Sequence, residues 1–170
     1  MTPKCPAPSP PPLGHFALTR IPSKSIPSNL GRTLLDRIQR TEKLNFPTSE
    51  AFDFPSELSK RTTVLQAAYD LKRNELYGYV VYVRSKLVTR IQKVCVVVEH
   101  RRAGVGKWMM LRVMEELRKG GADQVDLWVD LGREPARELY RACGFVERET
   151  VENYYGPGRN AVRMVAELAR

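Results

Sequence analysis

Between residues 94 and 106 the chain passes from an unbroken apolar block, Val94-Cys95-Val96-Val97-Val98, into Gly104-Val105-Gly106. A short apolar run of this kind is strand-sized and falls far short of the ~20 residues a membrane helix needs. It predicts the end of a long strand, Leu87–Val98, buried on both faces. Helical spacing follows at once: Val105, Trp108 or Met109, Val113 and Leu117 form an inner face with Met110 and Met114 beside it. Lys107, Arg112, Glu116 and Lys119 fall on the opposite side, and Gly120-Gly121 stops a helix spanning Gly104–Lys119. A buried strand that turns through glycine into an amphipathic helix restricts the chain to sheet domains covered by helices.

The turn itself has chemistry. Glycine lets the backbone approach a ligand closely, and the first N–H groups of a helix have no partner within it. A phosphate suits that position, aided by the positive end of the helix dipole and by Arg101, Arg102 and Lys107. A plain glycine-rich turn has the same spacing. Two phosphate motifs are excluded: a P-loop needs Gly at 101 and Ser or Thr at 108, where Arg101 and Trp108 stand. A Rossmann fingerprint needs glycine at 109, which is Met109.

Around this unit the order of elements is mixed. His15–Ile21 has strand composition, and Ser28 or Asn29 can cap a helix carrying Leu30, Leu34, Leu35 and Ile38 to about Asn45. Thr48 or Ser49 starts a short helical segment, interrupted by Pro55 and resumed over Glu57–Lys60. Thr62–Tyr69 and Leu76–Arg84 read as a hairpin around the charged turn Asp70–Asn74. Gln124–Asp130 is a strand, Glu134–Cys143 a helix stopped by Gly144, and Phe145–Val151 and Val162–Leu168 are closing strands. Residues 1–13 hold six prolines and read as an extended, disordered arm preceding one domain over 14–170.

Arg101-x-x-Gly104-x-Gly106 resembles the Arg/Gln-x-x-Gly-x-Gly/Ala signature of the GNAT acetyltransferases. Leu127-x-Val129 and Ala136-x-x-Leu139-Tyr140-x-x-x-Gly144-Phe145 follow in the family's order. The resemblance covers residues 87–168 well and 15–86 loosely. It implies an α/β (α+β) domain whose mixed, mostly antiparallel sheet of about six to seven strands is flanked by about four helices. That sheet splays between its fourth and fifth strands. It also implies acetyl-CoA as the acyl donor, with its pyrophosphate on Arg101, Arg102, Ala103, Gly104, Val105, Gly106 and Lys107. The backbone of Val96, Val97 and Val98 would hold the pantetheine arm. Tyr140 would lie beside the CoA sulfur as general acid, a position that core packing alone would also explain.

The resemblance is weaker at the base. Trp128 and Arg133 stand where N-terminal acetyltransferases of the family often carry a His or Glu and an Asn. Tryptophan cannot take a proton from an amine. Strand parity puts Asp126 and Asp130 on the face of Trp128, which makes both candidate bases, with Glu99 and His100 further ones. Arg133 suits a CoA phosphate. On the acceptor side, Phe46-Pro47-x-Ser49 occupies the link between the first two helices, where acceptor peptides lie in the family. Asn153-Tyr154-Tyr155 with Asn160-Ala161 is similar to the "YY…DA" segment whose tyrosines hold the peptide backbone; a hairpin with paired aromatics is the simpler alternative.

The net charge of +9 is spread along the chain rather than gathered in one block. It fits a polyphosphate cofactor, an acidic substrate or a ribosome or auxiliary subunit, without pointing to direct DNA binding. Three scattered cysteines and two histidines give neither a disulfide framework nor zinc-ligand spacing. A cytoplasmic location is expected. The lack of acidic residues before Asp36 raises a transit segment as an alternative, which the prolines oppose. Three functions stay open: an Nα-acetyltransferase of protein N-termini, an acetyltransferase of small amines, and a CoA-binding module without catalysis.

Overall fold

The computed structural model describes residues 16–21, 28–85 and 87–168. The proline-rich arm, His15, Cys5 and Lys86 lie outside the described residues. Seven strands form one sheet: β1 Ala17–Ile21, β2 Thr63–Asp70, β3 Glu75–Val83, β4 Val88–Val96, β5 Gln124–Asp130, β6 Val146–Val151 and β7 Ala161–Glu167, in the order β1-β2-β3-β4-β5-β7-β6. Helices α1 Ser28–Asn45 and α2 Phe54–Ser59 cover one face of β1–β4. Helices α3 Val105–Lys119 and α4 Glu134–Ala142 cover the other face of the sheet.

Each layer follows from its sequence. In α1, Leu34 and Ile38 are buried a turn apart and pack with Leu65, Ala67, Tyr79 and Val81 of the hairpin. In α3, Val105, Trp108, Met109, Met110, Val113 and Leu117 all turn inward. Strands β2 and β3 read as continuous apolar runs because helices sit on both faces. Pro55 does not interrupt a helix. It occupies the first turn of α2, where its missing N–H costs nothing, and Asp53 caps that turn by accepting from Ser56 N at 3.2 Å.

All strand pairs are antiparallel except β4–β5. That parallel pairing runs only from Val88↔Gln124 to Ile91↔Leu127. At the next residue, Gln92, β4 carries a bulge against β3, since Val81 pairs with Lys93 and Tyr82 with Ile91. A bulge bends its strand, and here it coincides with the point at which β4 leaves β5. The sheet therefore opens between the two strand ends. The same divergence corrects one sequence expectation. The strand stops at Val96 rather than Val98; Val94, Val96 and Val97 are half-buried along the opening, and Val98 is 59% exposed at the head of a 3-10 turn over Val98–His100.

Candidate active site

The opening between β4 and β5 has a backbone side and a side-chain side. On the first, Val97 N donates to Tyr77 O at 2.9 Å, and Val97 O accepts from His100 N at 2.9 Å. Val98 O accepts from Arg101 N at 3.2 Å, and Val96 O from Arg101 Nε at 3.1 Å. With these carbonyls and the Val97 N–H committed, the valine side chains are what the strand end offers a ligand.

Beyond it, Arg102 (φ 63°) and Gly104 (φ 80°) both adopt left-handed backbone, which folds the loop tightly into the N-terminus of α3. The helical ladder begins with Trp108 N onto Gly104 O at 3.0 Å. The N–H groups of Val105, Gly106 and Lys107 thus precede it and face outward. Gly106 is wedged: a β-carbon there would lie 3.2 Å from Leu139 Cδ2 and 3.3 Å from Val96 Cγ2. These features suit a pyrophosphate: a tight loop, unpartnered N–H groups at a helix start, and the exposed cations Arg101, Arg102 and Lys107. Arg101 also hydrogen-bonds Asn45 Oδ1, which ties the loop to the end of α1.

Tyr140 projects from α4 into the core beside Phe145, with ring centroids 5.9 Å apart. Its residue is 9% exposed, and its hydroxyl makes no hydrogen bond to any described residue. Burial chiefly, then the neighbouring Tyr155, raises its pKa, against the opposing charge of Arg133. The phenol therefore keeps its proton at any working pH.

The two aspartates proposed as bases are both occupied. Asp126 is fully buried and receives Arg90 Nε at 2.8 Å and Nη2 at 2.6 Å, with Arg163 Nε at 2.8 Å. Burial alone would raise its pKa, but the hydrogen bonds from Arg90 and Arg163 outweigh it and hold the carboxyl below the usual range. Asp130 accepts from Gly132 N at 2.9 Å through Oδ1 and pairs with Arg159 Nη2 at 2.7 Å through Oδ2. Desolvation again opposes, and the Gly132 and Arg159 bonds again lower the pKa. Both carboxylates organise arginines; neither has an oxygen free for an amine's proton. His100 pairs with Glu75 at 2.9 Å and stacks on Tyr77, while Glu99 is exposed.

The two segments expected on the acceptor side are bridged by Glu50 and Arg159, 2.7 Å apart. Phe46 and Pro47 lead from α1 into a 3-10 turn, Thr48–Glu50, and Tyr154 and Tyr155 lie in the β6–β7 loop. Trp128 stacks on Tyr154 with centroids 5.1 Å apart, and Tyr155 donates its hydroxyl to Trp128 O at 3.2 Å. Burial, reinforced by Tyr154, Glu50 and Asp130, pushes the Tyr155 phenol up to about 12. Asn160 has a loop-building role, accepting from Asn153 N at 3.0 Å.

Glu50 joins these walls, and sequence reasoning passed it over. Its side chain is 13% exposed, with Arg159 Nη1 2.7 Å from Oε1 and Arg133 Nη2 3.8 Å from Oε2. Arg159 thus occupies the buried Oε1, and Oε2 is the oxygen without a close donor. Lys93 fixes the turn from below: it donates to Glu50 O at 2.5 Å, pairs with Glu42 at 3.0 Å and sits 4.0 Å over the Phe46 ring. Arg133, at the head of α4, lies 5.4 Å over the Phe46 ring and next to Glu50. Only the nearness of Glu50 to Phe46-Pro47 could have drawn attention to it; Lys93 and Arg159 carry no local signal.

A splayed mixed sheet with a phosphate-type loop at a helix start is the frame of a CoA-dependent acyltransferase. The acetyltransferase (GNAT) family model matches residues 32–145, and the chain belongs to that family. It is an N-acetyltransferase acting on amines. An N-alpha-acetyltransferase of Sulfurisphaera tokodaii is 26% identical over 155 residues, covering 82% of this chain and 91% of that protein. Among solved structures, the ribosomal-protein-S18-alanine N-acetyltransferase of Escherichia coli superposes with a TM-score of 0.71 at 17% identity, covering 91% of this chain and 96% of that one. An aminoglycoside 6'-N-acetyltransferase complexed with coenzyme A has a TM-score of 0.69 at 16% identity, covering 81% and 92%. At such identities the structural likeness concerns the fold.

Proposed function

We propose that the chain transfers an acetyl group from acetyl-CoA to the N-terminal α-amino group of a protein. The observation that carries this reading is the walled approach to the β4–β5 opening. Phe46–Glu50 forms one wall, the Tyr154–Arg159 loop the other, and the Glu50–Arg159 ion pair spans them. Two tyrosines along one side suit an extended peptide. The relative named N-alpha-acetyltransferase supports the same acceptor.

An α-amino group has a pKa near 8, so roughly a tenth of it is neutral at pH 7. A modest base is then sufficient. Glu50 takes that role in place of Trp128, which is committed to stacking on Tyr154. The neutral amine attacks the thioester carbon, the new C–N bond forms as the C–S bond breaks, and the nitrogen's proton passes to the Glu50 carboxylate. The departing thiolate needs a donor. Tyr140, with its raised pKa, serves it better by a hydrogen bond than by full proton transfer. Arg101, Arg102, Lys107 and the first N–H groups of α3 hold the donor's pyrophosphate.

The test is a mixed panel of N-terminal peptides, polyamines and aminoglycosides incubated with acetyl-CoA, with products identified by mass. Acetylation confined to peptide α-amino groups, and absent from peptides blocked there, is expected. Turnover of the free amines with peptides untouched overturns the proposal.

A further inference from the structure

The acceptor mouth leaves one cation without a close partner. Arg159 is shared between Glu50 and Asp130, each at 2.7 Å. Lys93 is matched by Glu42. Arg133 is left with one weak contact, 3.8 Å from Glu50 Oε2; its side chain is 41% exposed, and its guanidinium makes no hydrogen bond to a described residue. Arg133, Arg159 and Asp130, the last paired with Arg159, border an open depression of about 530 Å³ together with Gly132 and Gly158. Phe46 backs Arg133 with its ring face and offers it no acceptor.

The chemistry sharpens this imbalance. Once Glu50 takes the amine's proton its charge is gone, and the anionic neighbour left to Arg133 is Asp130, which Arg159 already holds. A second negative charge within one side chain's length of the amine would restore the balance, and a guanidinium binds a carboxylate through paired donors. Resting on the N-terminal reading above, we propose that Arg133 selects acceptors whose first residue is acidic, by binding its side-chain carboxylate in this depression. Arg133 is then a specificity residue for the acceptor rather than a ligand of CoA.

The experiment compares three peptides with one common tail and Asp, Asn or Ser at the first position. In the parent protein, kcat/KM for Asp exceeds that for Asn by about tenfold, the low end for a charge-assisted hydrogen bond because the guanidinium is partly solvated. The preference shrinks as salt is raised. In R133Q the Asp-to-Asn ratio falls to near one, and in R133K part of it returns. Thermal unfolding of both variants checks that they are folded. A parent ratio of one or less, or a tenfold ratio that survives in R133Q, overturns the proposal while leaving N-terminal acetylation intact. Turnover of free amines with none of the three peptides used removes the N-terminal reading and this inference together.

Discussion

Replacing Asp126 by Asn separates architecture from chemistry. The carboxylate is fully buried and takes a two-pronged contact from Arg90 and a second arginine, Arg163, whose side chains are 45% and 27% exposed. Asparagine keeps the size but turns an NH₂ toward one guanidinium and strands the charge of Arg90, while Arg163 keeps Glu149 at 3.3 Å. Breaking a buried ion pair costs about 3–5 kcal/mol. Partial hydration of both arginines reduces that here to about 2–3 kcal/mol. For a domain of this size, Tm should fall by roughly 4–12 °C. The pH dependence carries a sign. A carboxylate whose folded pKa is lowered stabilises the fold above its unfolded value near 3.9, and that contribution is lost as pH falls through the folded value. Parent and variant should therefore converge in strong acid and differ fully at pH 7. Urea unfolding at both pH values measures the gap, and acetyl transfer per folded molecule is followed in parallel. A variant as stable as the parent but inactive would refute the structural role and return Asp126 to the chemistry.

Glu50→Gln removes the proposed proton acceptor, and kcat should drop by about 10²-fold or more. The variant should regain rate as pH rises through the amine's own pKa; a profile identical to the parent's would exclude Glu50. Tyr140→Phe deletes a hydroxyl that bonds to no described residue, so stability should hold while kcat falls and CoA affinity, read by calorimetry, stays unchanged. Equal kcat values would remove Tyr140 from the thiolate. Gly106→Ala brings its β-carbon to 3.2 Å from Leu139 and 3.3 Å from Val96, close enough to require a small shift. Gly106→Val adds branched methyls to the same wedge, so CoA binding should weaken modestly in the first and collapse in the second. Similar Kd values for the two would contradict the close fit.

The elements were legible wherever one local rule governed them. The leucines of α1, the inward stripe of α3 and the β2–β3 hairpin each announce themselves by period and turn chemistry. What local rules could not show was the course of β4 beyond Ile91. A valine run looks the same whether a neighbouring strand covers it or a bulge at Gln92 carries it away, because that depends on pairing with residues far along the chain. The exposed Val98 is the consequence.

The site divides on the same line. Its cofactor half is built from backbone, so a few glycines and arginines adjacent in sequence reveal it, and Gly104 and Gly106 stand where tight turning and close packing require them. The proposed acceptor half is a charge network assembled from four separate segments: Glu50 from the α1–α2 link, Lys93 from β4, Arg133 at the head of α4, and Arg159 from the β6–β7 loop. No spacing rule links them, and a carboxylate on a strand facing the right way looked like the better base. Geometry weighs against that choice. Asp126 and Asp130 have the expected facing but give every oxygen to a close donor, whereas Glu50 gives Oε1 to Arg159 and keeps Oε2, whose nearest cation is Arg133 at 3.8 Å. For a proton acceptor, an oxygen without a close donor outweighs position on the strand.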